Sequence, residues 1–214
     1  MPDDVKTRRA YSSPRREQQA AATRREILEA AERLFTERGY PATTMEAIAE
    51  SAGVSLKTAY LPFGTKAGLL RALWDLRLKG DQGDEPVADR DWYLAVIAQT
   101  DPRRRLAMLG ATSRQVKERI GPTLRAIRSA SGVDPDLAAL WQLIQSDFHA
   151  NQQTIVEGLA PALRHGLTVD KATDILWTLN HPDVWLLLVA ERGWSPHEWE
   201  AWFVSTTTSA LLAP

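Results

Sequence analysis

Apolar residues recur at helical spacing along most of the chain. Ile27, Ala31, Leu34 and Phe35 fall at i, i+4, i+7 and i+8, one stripe of a first helix whose other face is charged, and Gly39 ends it where a left-handed cap is needed. Thr43 and Glu46 stand three apart ahead of Ile48 and Ala49, the spacing of a capping box, so a second helix starts near Thr43 or Thr44. Gly53 supplies the positive φ of a tight turn, Val54 plugs the core beneath it, and Ser55 caps a short third helix through about Leu61. Two helices so joined meet at a steep angle. This is the pattern of a helix-turn-helix, whose second helix can enter the major groove of DNA while the first braces it against the backbone.

Beyond it, Leu69, Leu70, Leu73 and Trp74 stripe a fourth helix, which a linker from Gly80 to Pro86 follows. Asp101 and Pro102 open a helix through about Ile120, with Leu106, Leu109, Ser113, Val116 and Ile120 on one face. Gly121 and Pro122 stop or kink it, and a short helix runs on to Ser129. Asp134 and Pro135 start another, striped by Leu137, Trp141, Ile144, Phe148, Ile155 and Leu159 and bent or ended by Pro161. Helices are predicted over roughly 170–179 and 182–192, and from Pro196 to about Leu212. The fold class is therefore all-α, a helix-turn-helix head on a helical body. Its expected divisions are a flexible basic arm over 1–22, a head over 23–66, and a body with the connecting helix over 67–214.

The run IL-AA--LF-E-GY--TT---IA--AGVS--T-Y--F--K--LL, beginning at Ile27, resembles the tetracycline-repressor (TetR-like) family of bacterial transcription regulators. The likeness is strong over residues 24–74 and architectural from about 90 to 210. It implies a homodimer whose heads bind a palindromic double-stranded operator and whose bodies bind a small effector that releases the DNA, most often as a repressor. On this resemblance Thr44, Tyr60 and Lys66 occupy positions that hold phosphates, and Leu56 and Lys57 occupy positions that reach base edges. Thr43, Ser55 and Thr58 complete the DNA-facing set. Pro62, Gly68 and Lys57 depart from common family choices, which bears on operator preference and rigidity.

Composition narrows the setting. The chain of 214 residues has no cysteine, which excludes disulfides, thiolate catalysis and cysteine-zinc sites. Residues 1–15 lack a secretory apolar core, and the most apolar run, Val184 to Ala190, is too short to cross a bilayer, so a cytoplasmic protein without a membrane partner is expected. The net charge of -1 argues against a general nucleic-acid binder. Its distribution is uneven, +2 over residues 1–66 and -3 over the rest, with seven bases against three acids in residues 1–25. That amino-terminal segment suits either a phosphate- or minor-groove-following arm or a solvated tail.

A catalytic, metal or cofactor site finds no material. His149, His165, His181 and His197 are scattered, with no metal spacing, and read as surface or helix-end residues. Effector contacts are sought instead where polar residues interrupt apolar stripes. Ser113 and Asn151 do so, and Trp141, Phe148 and Trp177 could wall a site for an apolar or aromatic effector between the helices of the body. The competing reading makes the amide and the rings ordinary core. Arg103, Arg104 and Arg105 pair with acids or a ligand anion, or lie on a solvated face. The penultimate helix is apolar nearly all round, which implies a partner, so Val184, Trp185, Leu188, Trp199, Trp202 and Phe203 are expected in an isologous four-helix dimer seam. Two alternatives remain at this point: an all-helical small-molecule-binding protein or enzyme without specific DNA binding, and a constitutive DNA-binding dimer with no effector.

Overall fold

The computed structural model describes residues 14–79 and 87–214. Among them every regular element is helical, and the head is built from the first four. Helix α1 (Pro14–Ala42) contains Gly39 at φ 75°, which breaks its regular turn before Pro41. It begins within the stretch expected to be a flexible arm, because Gln18, Gln19 and Ala20 to Ala22 are strong helix formers that extend the striped part outward, although those turns are exposed. Residues 1–13 of the arm, and the linker 80–86, lie outside the described residues.

Helix α2 (Met45–Ser51) is capped by Thr44, whose hydroxyl accepts from Ala47 N–H at 3.2 Å. Gly53 turns the chain at φ 67°, and Val54 N–H donates back to Ala49. Helix α3 (Leu56–Tyr60) starts where Ser55 accepts from Thr58 N–H at 3.1 Å. Helix α4 (Lys66–Lys79) is capped by Thr65, which accepts from Gly68 N–H at 2.9 Å. Both turns of the helix-turn-helix thus arise from local hydroxyl and glycine chemistry.

The body adds α5 (Asp91–Ala98), α6 (Pro102–Ala130), α7 (Pro135–Glu157), α8 (Val169–Leu179), α9 (Pro182–Trp185) and α10 (Pro196–Leu211). Helix α5 is absent from the sequence reading: it is short and its Arg90 cap makes no side-chain cap bond, so neither length nor punctuation marked it. The expected break at Gly121 and Pro122 does not end α6, which continues to Ala130. Burial of Leu124, Ile127 and Ala130 against the head holds those turns, offsetting the hydrogen bond that Pro122 cannot make. Asp134 and Pro135 do start α7, and Pro161 falls in the 3₁₀ turn Ala160–Ala162. The expected helix over 182–192 is α9 followed by a π-helical stretch, Leu186–Glu191.

Helix α6 is the spine, packing on α1, α4, α5, α7, α9 and α10. One core joins Ile27, Ile48 and Leu69 of the head to Ile120, Leu124 and Leu137 of the body. A second gathers Val96, Leu106, Ile155, Leu176, Trp199 and Phe203. Two glycines permit close approach. A Cβ on Gly110 would meet Val204 of α10 at 2.5 Å, and one on Gly68 would meet the Phe63 carbonyl oxygen at 2.2 Å. Backbone cannot yield as a flexible side chain can, so Gly68→Ala is expected to destabilise the head by about 1–3 kcal/mol. Thermal unfolding checks this, with a midpoint at or above wild type as the contrary result.

Candidate functional site

On the head, the short α3 presents an exposed ridge. Leu56, Lys57 and Tyr60 are exposed, and Leu61 just beyond is 76% exposed, an unusual position for leucine that sequence periodicity did not single out. Thr44 is also exposed. Ser55 and Thr58 engage each other, their hydroxyl oxygens 2.7 Å apart. Two expectations are corrected. Thr43 is wholly buried and its hydroxyl lies within reach of the Gly39 and Leu34 carbonyls, at 2.8 and 3.1 Å, so it closes the α1–α2 corner and cannot face a duplex. Lys66 is half-buried, donates to the Tyr40 and Thr43 carbonyls at 2.8 Å each and lies 4.1 Å from the Tyr40 ring centre. Its ammonium clamps the corner that carries Thr44 rather than standing free, and burial lowers its pKa.

The same corner is tied to the body. Tyr40 Oη donates to Asp134 Oδ2 at 2.6 Å, while Asp134 Oδ1 accepts from the Asp136 and Leu137 amides and so caps α7. Burial and the Asp134 bond raise the Tyr40 pKa, keeping the phenol protonated. Arg77 of α4 grips Glu32 of α1 through two hydrogen bonds. Thus α4 and the α7 cap each hold α1 by a charged contact over an apolar seam.

Below the joint lies a cavity of about 530 Å³. Its walls come from α4 (Trp74, Leu78), α5 (Trp92, Val96), α6 and α7, with Asn180 and Pro182 closing one end. Ser113, Phe148 and Asn151 line it as expected. Trp141 and Trp177 do not: with Phe148 they surround His181, at ring-centre distances of 6.5, 4.8 and 6.4 Å for Trp141, Trp177 and Phe148. The aromatic group read from sequence therefore encloses a histidine, with only Phe148 also reaching the cavity. Walls from α4 and α5 were missed because nothing in a stripe shows which helix lies opposite.

Also missed was the polar floor. Lys117 Nζ donates to Asn180 Oδ1 at 2.6 Å, and Asn180 Nδ2 donates to Ser113 Oγ and Gln152 Oε1, both at 3.1 Å. All four are buried. A lysine and glutamine interrupting apolar runs were the available signal. Burial lowers Lys117 from 10.5 to about 7, and burial with the charges of Arg128 and Lys117 lowers His181 to about 4. Arg105, expected to pair with acids or a ligand anion or to lie on a solvated face, is instead buried and donates to the carbonyls of Gln99 and Ile97 at 2.8 Å and Ile155 at 3.2 Å. It seals the ends of α5 and α7. Among the described residues no group of His, Asp and Glu is arranged to hold a metal.

The expected dimer seam divides. Trp185, Trp199 and Phe203 are buried in the protomer's own core, where Trp199 stacks on Phe203 with ring centres 5.1 Å apart, so they cannot reach a partner. Val184, Leu188 and Trp202 remain partly open, beside exposed Leu187. A stripe reports burial but not which neighbour supplies it.

Lys117 titrates differently in the folded and unfolded chain. Between about 7 and 10.5 the unfolded chain holds a proton that the folded chain has released, so this group makes stability rise with pH across that window. On the helices packed around it, His181 is already neutral there, and the other charged groups are the Arg128–Asp183 and Arg114–Glu200 ion pairs. Chemical denaturation between pH 7 and 9.5 is expected to show the rise in wild type and a flatter profile in Lys117→Met. An identical slope in the two proteins contradicts the assignment.

Residues 27–73 match the family described as bacterial regulatory proteins, tetR family. The transcriptional regulator TtgR of Pseudomonas putida is 48% identical over 61 residues, 28% of this chain and 29% of that protein's length. The fold extends further. NalD of Pseudomonas aeruginosa, a secondary repressor of the MexAB-OprM multidrug efflux pump, superposes with TM-score 0.68 at 22% identity, covering 90% of this chain and 98% of its own. SmeT in complex with triclosan gives 0.66 at 20%, over 90% and 92%.

Proposed function

We propose that this chain, whose residues 27–73 match the tetR family of bacterial regulatory proteins, is a ligand-responsive transcriptional regulator, a repressor rather than an enzyme. The observation that carries the reading is the joint: α4 walls the cavity with Trp74 and Leu78 and packs on α1 of the head, which carries the exposed α3. Two heads in a homodimer must sit about 34–36 Å apart to enter successive major grooves on one face of B-form DNA. An effector seated between α4, α5, α6 and α7 pushes on α4 and favours a spacing that a palindromic operator cannot accept. That couples two distinct sites through one element with two positions. The triclosan complex of SmeT, a protein of the same fold, supports a small apolar or aromatic effector here.

On the duplex, Leu56 and Lys57 read base edges, while Thr44 and Tyr60 hold phosphates with Ser55 and Thr58 shaping the start of the helix. Lys66 acts by positioning Thr44. Selection of duplexes from a random pool, followed by titration with and without apolar ligands that raise the melting temperature, tests the whole reading. Specific binding to a palindrome that weakens with such a ligand is expected, and a stabilising ligand that leaves DNA affinity untouched overturns the switch. Within that assay Lys57→Ala relaxes preference at one base pair by about 1–3 kcal/mol.

The homodimer forms through the open side of the last helices, with Val184, Leu187, Leu188 and Trp202 in the seam. A charge there is desolvated without a partner, so Trp202→Glu is expected to yield monomers in sedimentation and to lower operator affinity through loss of the second head. A Trp202→Glu protein that sediments as an intact dimer places the interface elsewhere. Among the described residues no helix is long and apolar enough to cross a membrane, which accords with a cytoplasmic regulator.

A further inference from the structure

Lys117 lies at mid-helix in α6, enclosed by Asn180 at the end of α8, by α10 and by the cavity it lines. A compact, strongly hydrated ammonium is costly in such a place unless an opposite charge or a full set of acceptors replaces the water. Its protein partners are neutral. One proton goes to Asn180 Oδ1, and the face of Trp199 lies 4.6 Å away. Asn180 is itself held by Ser113 and Gln152, so its carbonyl is fixed on the lysine and cannot swing out of the way. No carboxylate lies within ion-pair distance of Lys117 among the described residues. The acids that do line the cavity, Asp75 and Asp147, are only partly buried or exposed, with Arg71 among the lining beside them.

Apart from Arg71, Asp75, Asp147 and a few neutral polar groups the remaining walls are apolar, so the cavity pairs one oriented, buried cationic group with a mainly apolar lining. A cationic ligand would put two positive charges in one low-dielectric space. A neutral apolar one would leave ammonium protons without acceptors, and a neutral acceptor would leave the buried charge without a counter-charge. Resting on the reading of this cavity as the effector site, we propose that its ligand is an amphiphilic monoanion, an aromatic or aliphatic body carrying a carboxylate or comparable acidic group that pairs with Lys117 beside the Ser113 hydroxyl. The body of the ligand lies against Trp74, Trp92, Val96 and Phe148, and the cavity volume falls within the range that small-molecule sites occupy. Lys117 and its three neutral companions thereby select charge type, while the apolar walls accept a range of shapes.

The test uses the full chain and three probes of one shape: 1-naphthaleneacetate, its neutral amide 1-naphthaleneacetamide, and the cation 1-naphthalenemethylamine, titrated by calorimetry at pH 6. Wild type is expected to bind the acetate at least tenfold more tightly than the amide and the amine least, and Lys117→Met to bind acetate and amide alike. The amide affinity of the variant, near that of wild type, reports an intact cavity. A second measurement needs no variant. Raising the pH from 6 to 9 deprotonates Lys117 while neighbouring His181 stays neutral, so acetate affinity falls and amide affinity does not; the other charged groups of the lining are Asp75, Asp147 and Arg71. Equal affinities for acetate and amide in wild type, an unchanged ratio in Lys117→Met, no fall with pH, or no binding of the acetate at millimolar concentration each overturn the proposal. Selective acetate binding that leaves operator affinity unchanged keeps the anion site and overturns the switch instead.

Discussion

Helix α6 must bury residues on most of its circumference, and the architecture follows from that demand. Its carboxy-terminal half places Leu124, Ile127 and Ala130 in the core shared with the head, while its amino-terminal half places Leu106 and Leu109 in the core of the body. Between them sit Ser113 and Lys117, where the helix passes from one core to the other. The cavity occupies that transition. A helix serving two cores is hard to move as a whole, so in the proposed switch displacement by a ligand falls on the lighter elements around it, α4 and α5.

Helix α4 is well suited to carry that displacement. Its Leu69, Leu70 and Leu73 are wholly or almost wholly buried with the head, and its Trp74 and Leu78 face the cavity. Arg77 ties it to Glu32 of α1. A second route runs from the cap of α7 through Asp134 to Tyr40, the residue whose carbonyl also receives Lys66. The corner that presents Thr44 is therefore held from three directions, by the body, by α4 and by the buried Thr43. Movement of α4 or α7 relative to α1 changes how the two tethers are shared, and the recognition ridge moves with the corner.

The polar floor lines the cavity and the aromatic box around His181, apart from Phe148, does not, a division that local pattern does not reveal. In a linear reading Trp141, Phe148 and Trp177 could wall an effector site, and His181 is a surface or helix-end residue. In three dimensions the histidine fills the box, accepting from Asp183 N–H at its own helix start and lying 2.7 Å from Gln145 Oε1. In the proposed site, charge selection falls instead to a lysine that the sequence places inconspicuously among the polar residues of α6.

By itself the sequence determined the head almost entirely. Its Ser55 cap, its Gly53 turn and its apolar stripe act over a few residues and were legible where they stand, as were the starts of α6, α7 and α10 and the all-α class. The cap of α2, by contrast, is Thr44 alone, and the box expected from Thr43 and Glu46 does not form. Tertiary structure alone decided which residue of a local pair faced inward, hence buried Thr43 beside exposed Thr44. It likewise carried α6 past Pro122, turned Trp199 and Phe203 into the protomer's own core, and brought Lys117, Asn180 and Gln152 together from three helices. The physical reason is range: hydrogen bonds to backbone within a turn depend on neighbours in the chain, whereas burial and the desolvation of a charge depend on whichever helix packs opposite, and periodicity carries no record of that partner.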